Sequence, residues 1–234
     1  MTSTQTKIIA IAGAGMHGGV WRSLIAHLPG VEVACLDLPG HRDSQPFLPT
    51  IQDMAAYVTS NLGGNPVILM GHSMGALAAL AAAAHSSVKA VILMGAAASM
   101  PVHPDLLRQA HETPAAAGDM ILKWGISNAC ADIDSVRAAL KQIMQETAPA
   151  ALGNDLAACQ AFIAGADLAK NMAKPALVIA GEHDKMTRAA DGEALSRLFP
   201  YGQFSLLPAT GHMMMAERPT DVAGIVAAFV KTVG

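Results

Sequence analysis

With 234 residues, the chain is long enough for one sizeable core and short for two independent domains, so a single domain, with or without an insertion, is expected. Apolar residues make up 52% and charged residues 14%, the reverse of what a disordered or solvating chain shows. A net charge of -3 with dispersed Lys and Arg, and a pI near 6.3, leave no electrostatic footprint for nucleic acid or an acidic membrane and point to a small-molecule partner.

Taken in chain order, short apolar runs of strand length occupy 7–12, 31–36, 66–70, 88–94, 176–180 and 203–207, each ending in Gly or a polar turn. Nearly continuous apolarity without alternation is what strands covered on both faces require, so these runs predict a parallel sheet. Helical patterns fall between them, at 20–27, 51–62, 74–85, 189–198 and 220–233. Strand alternating with helix gives an α/β, doubly wound fold with a mostly parallel sheet of about six strands.

The alternation stops at 98–170, which is rich in Ala, Leu, Met and Gln and punctuated by Pro101, Pro104, Pro114 and Pro149. It predicts several short helices inserted into a core made of 1–97 and 171–234. The first apolar run is broken by Gly13, Gly15, Gly18 and Gly19 and lacks the layout of a signal peptide, and no segment approaches the length of a membrane span. Cys35, Cys130 and Cys159 are odd in number and lack C-x-x-C spacing, so they read as buried thiols in a reducing compartment. A soluble cytoplasmic protein is expected, without cofactor or metal, and a monomer is compatible with everything in the sequence.

The chemistry centres on Gly71-His72-Ser73-Met74-Gly75, directly after an apolar strand and directly before a helix. A nucleophile on so tight a turn is lifted above the sheet, and the glycines leave room for its backbone. A serine hydroxyl needs a base and an orienting acid. Both follow later strands: Gly181-Glu182-His183-Asp184 after the fifth run and Ala209-Thr210-Gly211-His212 after the sixth. Reacting groups in a parallel sheet gather at the carboxyl ends of its strands, which makes Ser73, Asp184 and His212 a candidate triad. His183 is the lesser candidate for the base.

The order Ser, Asp, His resembles the α/β-hydrolase superfamily over nearly the whole chain. Ala12-Gly13-Ala14-Gly15 with Val20-Trp21 is similar to the family's H-G-x-G loop and downstream Trp, although Ala12 replaces the His. Asp37-Leu38-Pro39-Gly40-His41 with Ser44 is similar to its D-x-P-G-x-G-x-S loop, with Arg42 where Gly is frequent, and Glu217-Arg218-Pro219 before a last helix resembles its usual ending. The resemblance equates the first strand with the family's third, which implies six strands, and makes 98–170 the cap or lid. It also implies an oxyanion hole from the backbone N–H groups of Met74 and Ala14. Where some members carry the acid one strand earlier, this chain has Gly95-Ala96-Ala97-Ala98-Ser99, so Asp184 is retained.

Gly15, Met16, His17, His72, Met100, Trp124, Met186 and Met213 are candidates to line the pocket, with core packing or structural hydrogen bonding as the competing role for His17, His72 and the methionines. The reading is a serine hydrolase cleaving a small to medium, largely apolar carboxylic ester. Thioester or carbon-carbon hydrolysis, a cofactor-free lyase or perhydrolase, and a slow-turnover receptor of the same fold remain open alternatives.

Overall fold

A computed structural model describes residues 7–233; the first six positions of the expected core segment, which also open the stretch read for a leader, and residue 234 lie outside the described residues. Six strands, β1 (Lys7–Ile11), β2 (Val33–Cys35), β3 (Val67–His72), β4 (Val88–Met94), β5 (Ala176–Gly181) and β6 (Gly202–Leu207), form one sheet in the order β2-β1-β3-β4-β5-β6. Every neighbouring pair is parallel. The eleven α-helices among the described residues are α1 (Arg22–Ala26), α2 (Ile51–Ser60), α3 (Met74–Ala82), α4 (Pro104–Glu112), α5 (Pro114–Gly125), α6 (Ile133–Glu146), α7 (Pro149–Ala161), α8 (Gly165–Asn171), α9 (Ala189–Leu198), α10 (Met214–Glu217) and α11 (Pro219–Val233).

Side chains of a strand alternate between faces, and the continuous apolar runs use both. Ile8, Ala10, Ile68, Met70, Ile92, Leu177 and Ile179 join Leu24 of α1 and Val222, Val226 and Phe229 of α11 in one core. Ile9, Ile11, Val67, Leu69, Val91, Leu93 and Val178 join Ala55 and Val58 of α2, Ala76, Ala79 and Leu80 of α3, and Leu195 of α9 in the other. Each such aliphatic side chain contributes roughly 1.5–3 kcal/mol when fully buried. Register is therefore fixed on both faces, since a one-residue slip exchanges the two cores.

The edge strands depart from the expectation of burial on both faces. β2 is only three residues long and half-buried, and β6 exposes Gln203 and Leu206. Cys35, at the end of β2, is consequently exposed, whereas Cys130 and Cys159 are buried. The helix expected over 20–27 divides into a 3-10 turn (Gly18–Trp21) and α1, because His17 caps the turn by accepting the Gly19 N–H at 3.1 Å.

Five helices, α4 to α8, fill the interval between β4 and β5. Three of them begin on Pro104, Pro114 and Pro149, where a residue with fixed φ and no N–H costs nothing. No helix among the described residues is long and apolar enough to cross a membrane.

Candidate functional site

The turn between β3 and α3 places Ser73 at φ 52°, ψ -119°, an unfavourable backbone for a residue with a Cβ. Its N–H donates to the Met94 carbonyl of β4 at 2.9 Å, which anchors the turn. Close approach explains the glycines: a Cβ on Gly71 would strike the carbonyl of Gly75, and one on Gly75 would strike the carbonyls of Ile11 and Ala12. α3 can therefore start directly against β1, and Ser73 stands partly exposed above the sheet.

Asp184 follows β5. Met186 and Thr187 donate their backbone N–H groups to its Oδ1 at 2.8 and 2.9 Å, and the Thr187 hydroxyl donates to Oδ2 at 2.9 Å. Oδ2 also accepts Nδ1–H of His212 at 2.8 Å. Burial alone would raise the Asp184 pKa, but the charge and hydrogen bond of His212 and the two N–H groups outweigh it and hold the carboxyl below its ordinary range. The carboxylate is thus ionised and acceptor-only, and it fixes the proton of His212 on Nδ1, leaving Nε2 free to accept.

His212 lies over the strand end that anchors Ser73. A carbon added to Gly95, the residue after β4, would sit 2.9 Å from Nδ1 and Cε1 of the imidazole. His72 packs its ring against that of His212 at a tilt of 54°, 4.6 Å between centroids, and donates Nε2–H to the His212 carbonyl at 3.0 Å. Burial, with the neighbouring His212 adding, pushes the His72 pKa down to about 3, so this ring is neutral. Among the described residues Ser73 Oγ and His212 Nε2 make no hydrogen bond to each other or to a third group.

The loop after β1 lies against the same turn: a carbon on Gly13 would fall 3.3 Å from Cβ of Ser73. Gly15 N–H is committed to Asp155 at 2.9 Å and Met16 N–H to the Gly13 carbonyl at 3.2 Å. The N–H groups of Ala14 and Met74 have no acceptor among the described residues.

Other expected residues fall elsewhere. His183 turns away, its Nδ1 bonded to Ser127 Oγ at 2.8 Å. His17 caps its turn and meets Glu146 of α6 at 3.1 Å. Met16, Met100 and Met213 are buried in packed clusters, Met186 packs against the first of these, and Trp124 is 39% exposed. Of the pocket candidates, Gly15 borders a cavity of about 230 Å³ whose other walls are Pro114, Ala115, Gly118 and Leu122 of α5, Met144 of α6, and Pro149 and Leu152 of α7, with the Asp119–Lys141 pair among its lining. The cavity does not reach Ser73 or His212 themselves; it begins one residue beyond Ala14.

Sequence reasoning missed what holds the His212 segment. Glu217, buried, accepts the N–H groups of Ser127, Gly211 and Met213 at 2.9, 3.0 and 3.1 Å. Burial raises its pKa, against the lowering effect of those three bonds. The Gly125 carbonyl at the end of α5 accepts the His212 N–H at 2.6 Å. A carboxylate six residues from one of its donors, Gly211, is visible in sequence; that its partners include Ser127 is not. Among the described residues no cluster of His, Cys, Asp and Glu could hold a metal ion.

A strained serine after the third strand, a His–Asp pair from the last two strand ends and a helical insertion between β4 and β5 define a hydrolase of doubly wound type. The model of the alpha/beta hydrolase family matches residues 8–225, and the chain belongs to that family and is an enzyme of its type. Among curated proteins, it is 26% identical to the pimeloyl-[acyl-carrier protein] methyl ester esterase of Xanthomonas axonopodis pv. citri over 97% of this chain and 95% of the relative. Lipase LipV of Mycobacterium tuberculosis is 35% identical over 104 residues, 42% of this chain and only 40% of the lipase. In fold it is similar to an enol-lactonase from Burkholderia xenovorans LB400 (TM-score 0.87, 23% identity, 99% of this chain and 94% of the other). A thermophilic esterase from Thermogutta terrifontis is similar too (TM-score 0.86, 22% identity, 99% and 92%).

Proposed function

We propose that this chain hydrolyses carboxylic esters of small to medium, largely apolar acyl groups through an acyl-enzyme on Ser73. The observation that carries the reading is the Asp184–His212 pair, 2.8 Å apart and buried, beside a serine held at positive φ. Ser73 Oγ attacks the ester carbonyl and gives its proton to His212 Nε2, while Asp184 stabilises the imidazolium through Nδ1–H. The tetrahedral oxyanion takes hydrogen bonds from Met74 N–H, at the start of α3, and from Ala14 N–H. His212 then protonates the departing alkoxide; in the second half it takes a proton from the water that attacks the acyl carbonyl and returns it to Ser73 Oγ as the acyl–oxygen bond breaks and the acid leaves.

The helical segment 98–170 acts as the cap of this site. Its cavity of about 230 Å³ falls below the roughly 300 Å³ at which pockets for drug-sized ligands begin, which suits a short to medium chain rather than a triglyceride. Ester hydrolysis in general is supported by the names of the relatives, esterases and a lipase. The test is intact-mass measurement after exposure to a fluorophosphonate, beside a panel of acyl esters and thioesters. A single phosphonyl adduct on Ser73 with ester turnover is expected. An unmodified Ser73, or thioesters as the only substrates turned over, would overturn the reading.

A further inference from the structure

Two buried side chains outside the proposed triad grip the loop that carries the Ala14 N–H. Asp155 lies in α7 with its side chain fully buried, and its Oδ2 accepts the Gly15 N–H at 2.9 Å and faces Nε2 of His41 at 3.2 Å. Its Oδ1 accepts from the Asn154 amide at 3.2 Å. His41, in the loop after β2, is equally buried and turns its other ring nitrogen to the Met16 carbonyl at 2.9 Å. Both ring nitrogens face acceptors, and only the doubly protonated ring donates from both. A buried carboxylate is costly unless paired and hydrogen-bonded, and Asp155 is both.

Where these bonds end is what gives them a consequence for the reaction. Ala14 N–H belongs to the Gly13–Ala14 peptide, and the oxygen of that same peptide is held by Met16 N–H at 3.2 Å. In a trans peptide the C=O and N–H point opposite ways, so holding the oxygen aims the N–H. Met16 is in turn held by His41 through its carbonyl, and the next peptide by Asp155 through Gly15 N–H. The loop is therefore fixed on the C-terminal side of Ala14 by an ion pair that the cap completes.

We propose that Asp155 and His41 are a positioning pair that aims the Ala14 N–H at the developing oxyanion, making the cap helix α7 part of the machinery for the transition state. The inference rests on the ester-hydrolase reading. Burial works against a charged His41, but Asp155, the Met16 carbonyl and Asp37 outweigh it and raise its pKa. Asp37 itself accepts the Gly18 N–H at 2.6 Å, so the loop after β2 is tied to the loop after β1 at two points, through Asp37 and through His41.

A positioning role is read in kcat, because an oxyanion donor acts in the transition state and not on bound ester. With p-nitrophenyl butyrate, Asp155→Ala is expected to lower kcat by roughly 10–100-fold, less than the ~100–1,000-fold of deleting a donor outright, with KM within about twofold. Fluorophosphonate should still reach full stoichiometry on Ser73, more slowly. Asp155→Asn, which keeps an oxygen for Gly15 N–H, is expected to recover most of kcat. A folded Asp155→Ala protein with unchanged kcat, or a loss carried by KM, overturns the proposal, as does an Asn variant no better than Ala. Should Asp155→Ala not fold, His41→Gln, which releases the Met16 carbonyl, carries the same expectation and the same refutation. Wild-type protein that neither turns over esters nor labels at Ser73 refutes the hydrolase reading instead, so the two failures are distinct.

Discussion

The strand ends and the inserted helices hold the candidate site by opposite means. Asp184 is held by residues two and three positions further on, and Ser73 by a turn whose partners are adjacent strands. The insertion reaches the candidate site from far away in sequence: Gly125 O takes the His212 N–H, and Asp155 takes that of Gly15, 140 positions distant. Local turns hold Ser73 and Asp184, whereas the loop after β1 and the His212 segment are held by long-range contacts from the insertion. The contrast predicts that changes at the strand ends abolish chemistry, and that changes in the insertion scale it or redirect it.

The largest effect belongs to Ser73→Ala, which should lower kcat by roughly 10⁴-fold or more and end phosphonate labelling. One partly exposed oxygen is lost, so the denaturation midpoint should stay put; wild-type turnover in this variant would remove the strand ends from the reaction altogether. His212→Ala should cost about as much in kcat. His183→Ala, one residue from Asp184 but bonded to Ser127 of the insertion, should cost less than about tenfold. Equal losses at the two histidines would mean that the base is misassigned and that the local-turn side of the comparison is wrong.

A smaller effect separates stability from chemistry within the strand-end region. His72 is neutral beneath the base, with a pKa pushed from 6.5 to about 3 by burial and by His212. Its folded pKa lies below its unfolded one, so the unfolded chain binds the proton first and stability is lost as pH falls below about 6.5, by about 1 kcal/mol per pH unit. His72→Gln keeps a donor for the His212 carbonyl and does not titrate. Urea midpoints measured from pH 7 to pH 4 should fall less steeply in the variant; parallel slopes would show that another group carries the acid sensitivity.

The same division explains what could be read from the sequence. Strand runs, their order and the three strand-end motifs were legible because each is set by a few consecutive residues: an apolar run, then Gly71 and Gly75 around Ser73, or Gly181 to Asp184. The insertion was legible only as helical and punctuated by prolines; that Pro104, Pro114 and Pro149 begin helices was not. Which side chains enter the pocket depended on packing among α5, α6 and α7, and no periodicity tells that Met16 and Met213 turn into the core while Met144 lines the cavity. Asp155 carried no local signal, and His41 only its place in the Asp37–Ser44 loop motif, since their pairing lies in a contact across 114 positions.

The smallest and most selective effect is expected inside the insertion, at Gly118. It lies in α5 on the wall of the cavity, and a carbon built there would come 3.1 Å from Cε and 3.4 Å from Sδ of Met144, which lines the same space. Met144 is flexible and can give way, and Val is a better helix residue than Gly, so Gly118→Val should fold. Its two methyl groups would then occupy room that a longer acyl chain needs. Each methylene in a fitted apolar pocket is worth about 1–3 kcal/mol of discrimination, so kcat/KM for p-nitrophenyl octanoate should fall about tenfold or more. The acetate ester, too short to reach the cavity, should change within about twofold, and emulsified triolein should be poor for both proteins. If acetate and octanoate fall together, the substitution has disturbed the reacting groups rather than the pocket. If neither changes, the acyl chain does not lie in this cavity, and the insertion bears on the reaction only through the Gly125 carbonyl and the Asp155 carboxylate.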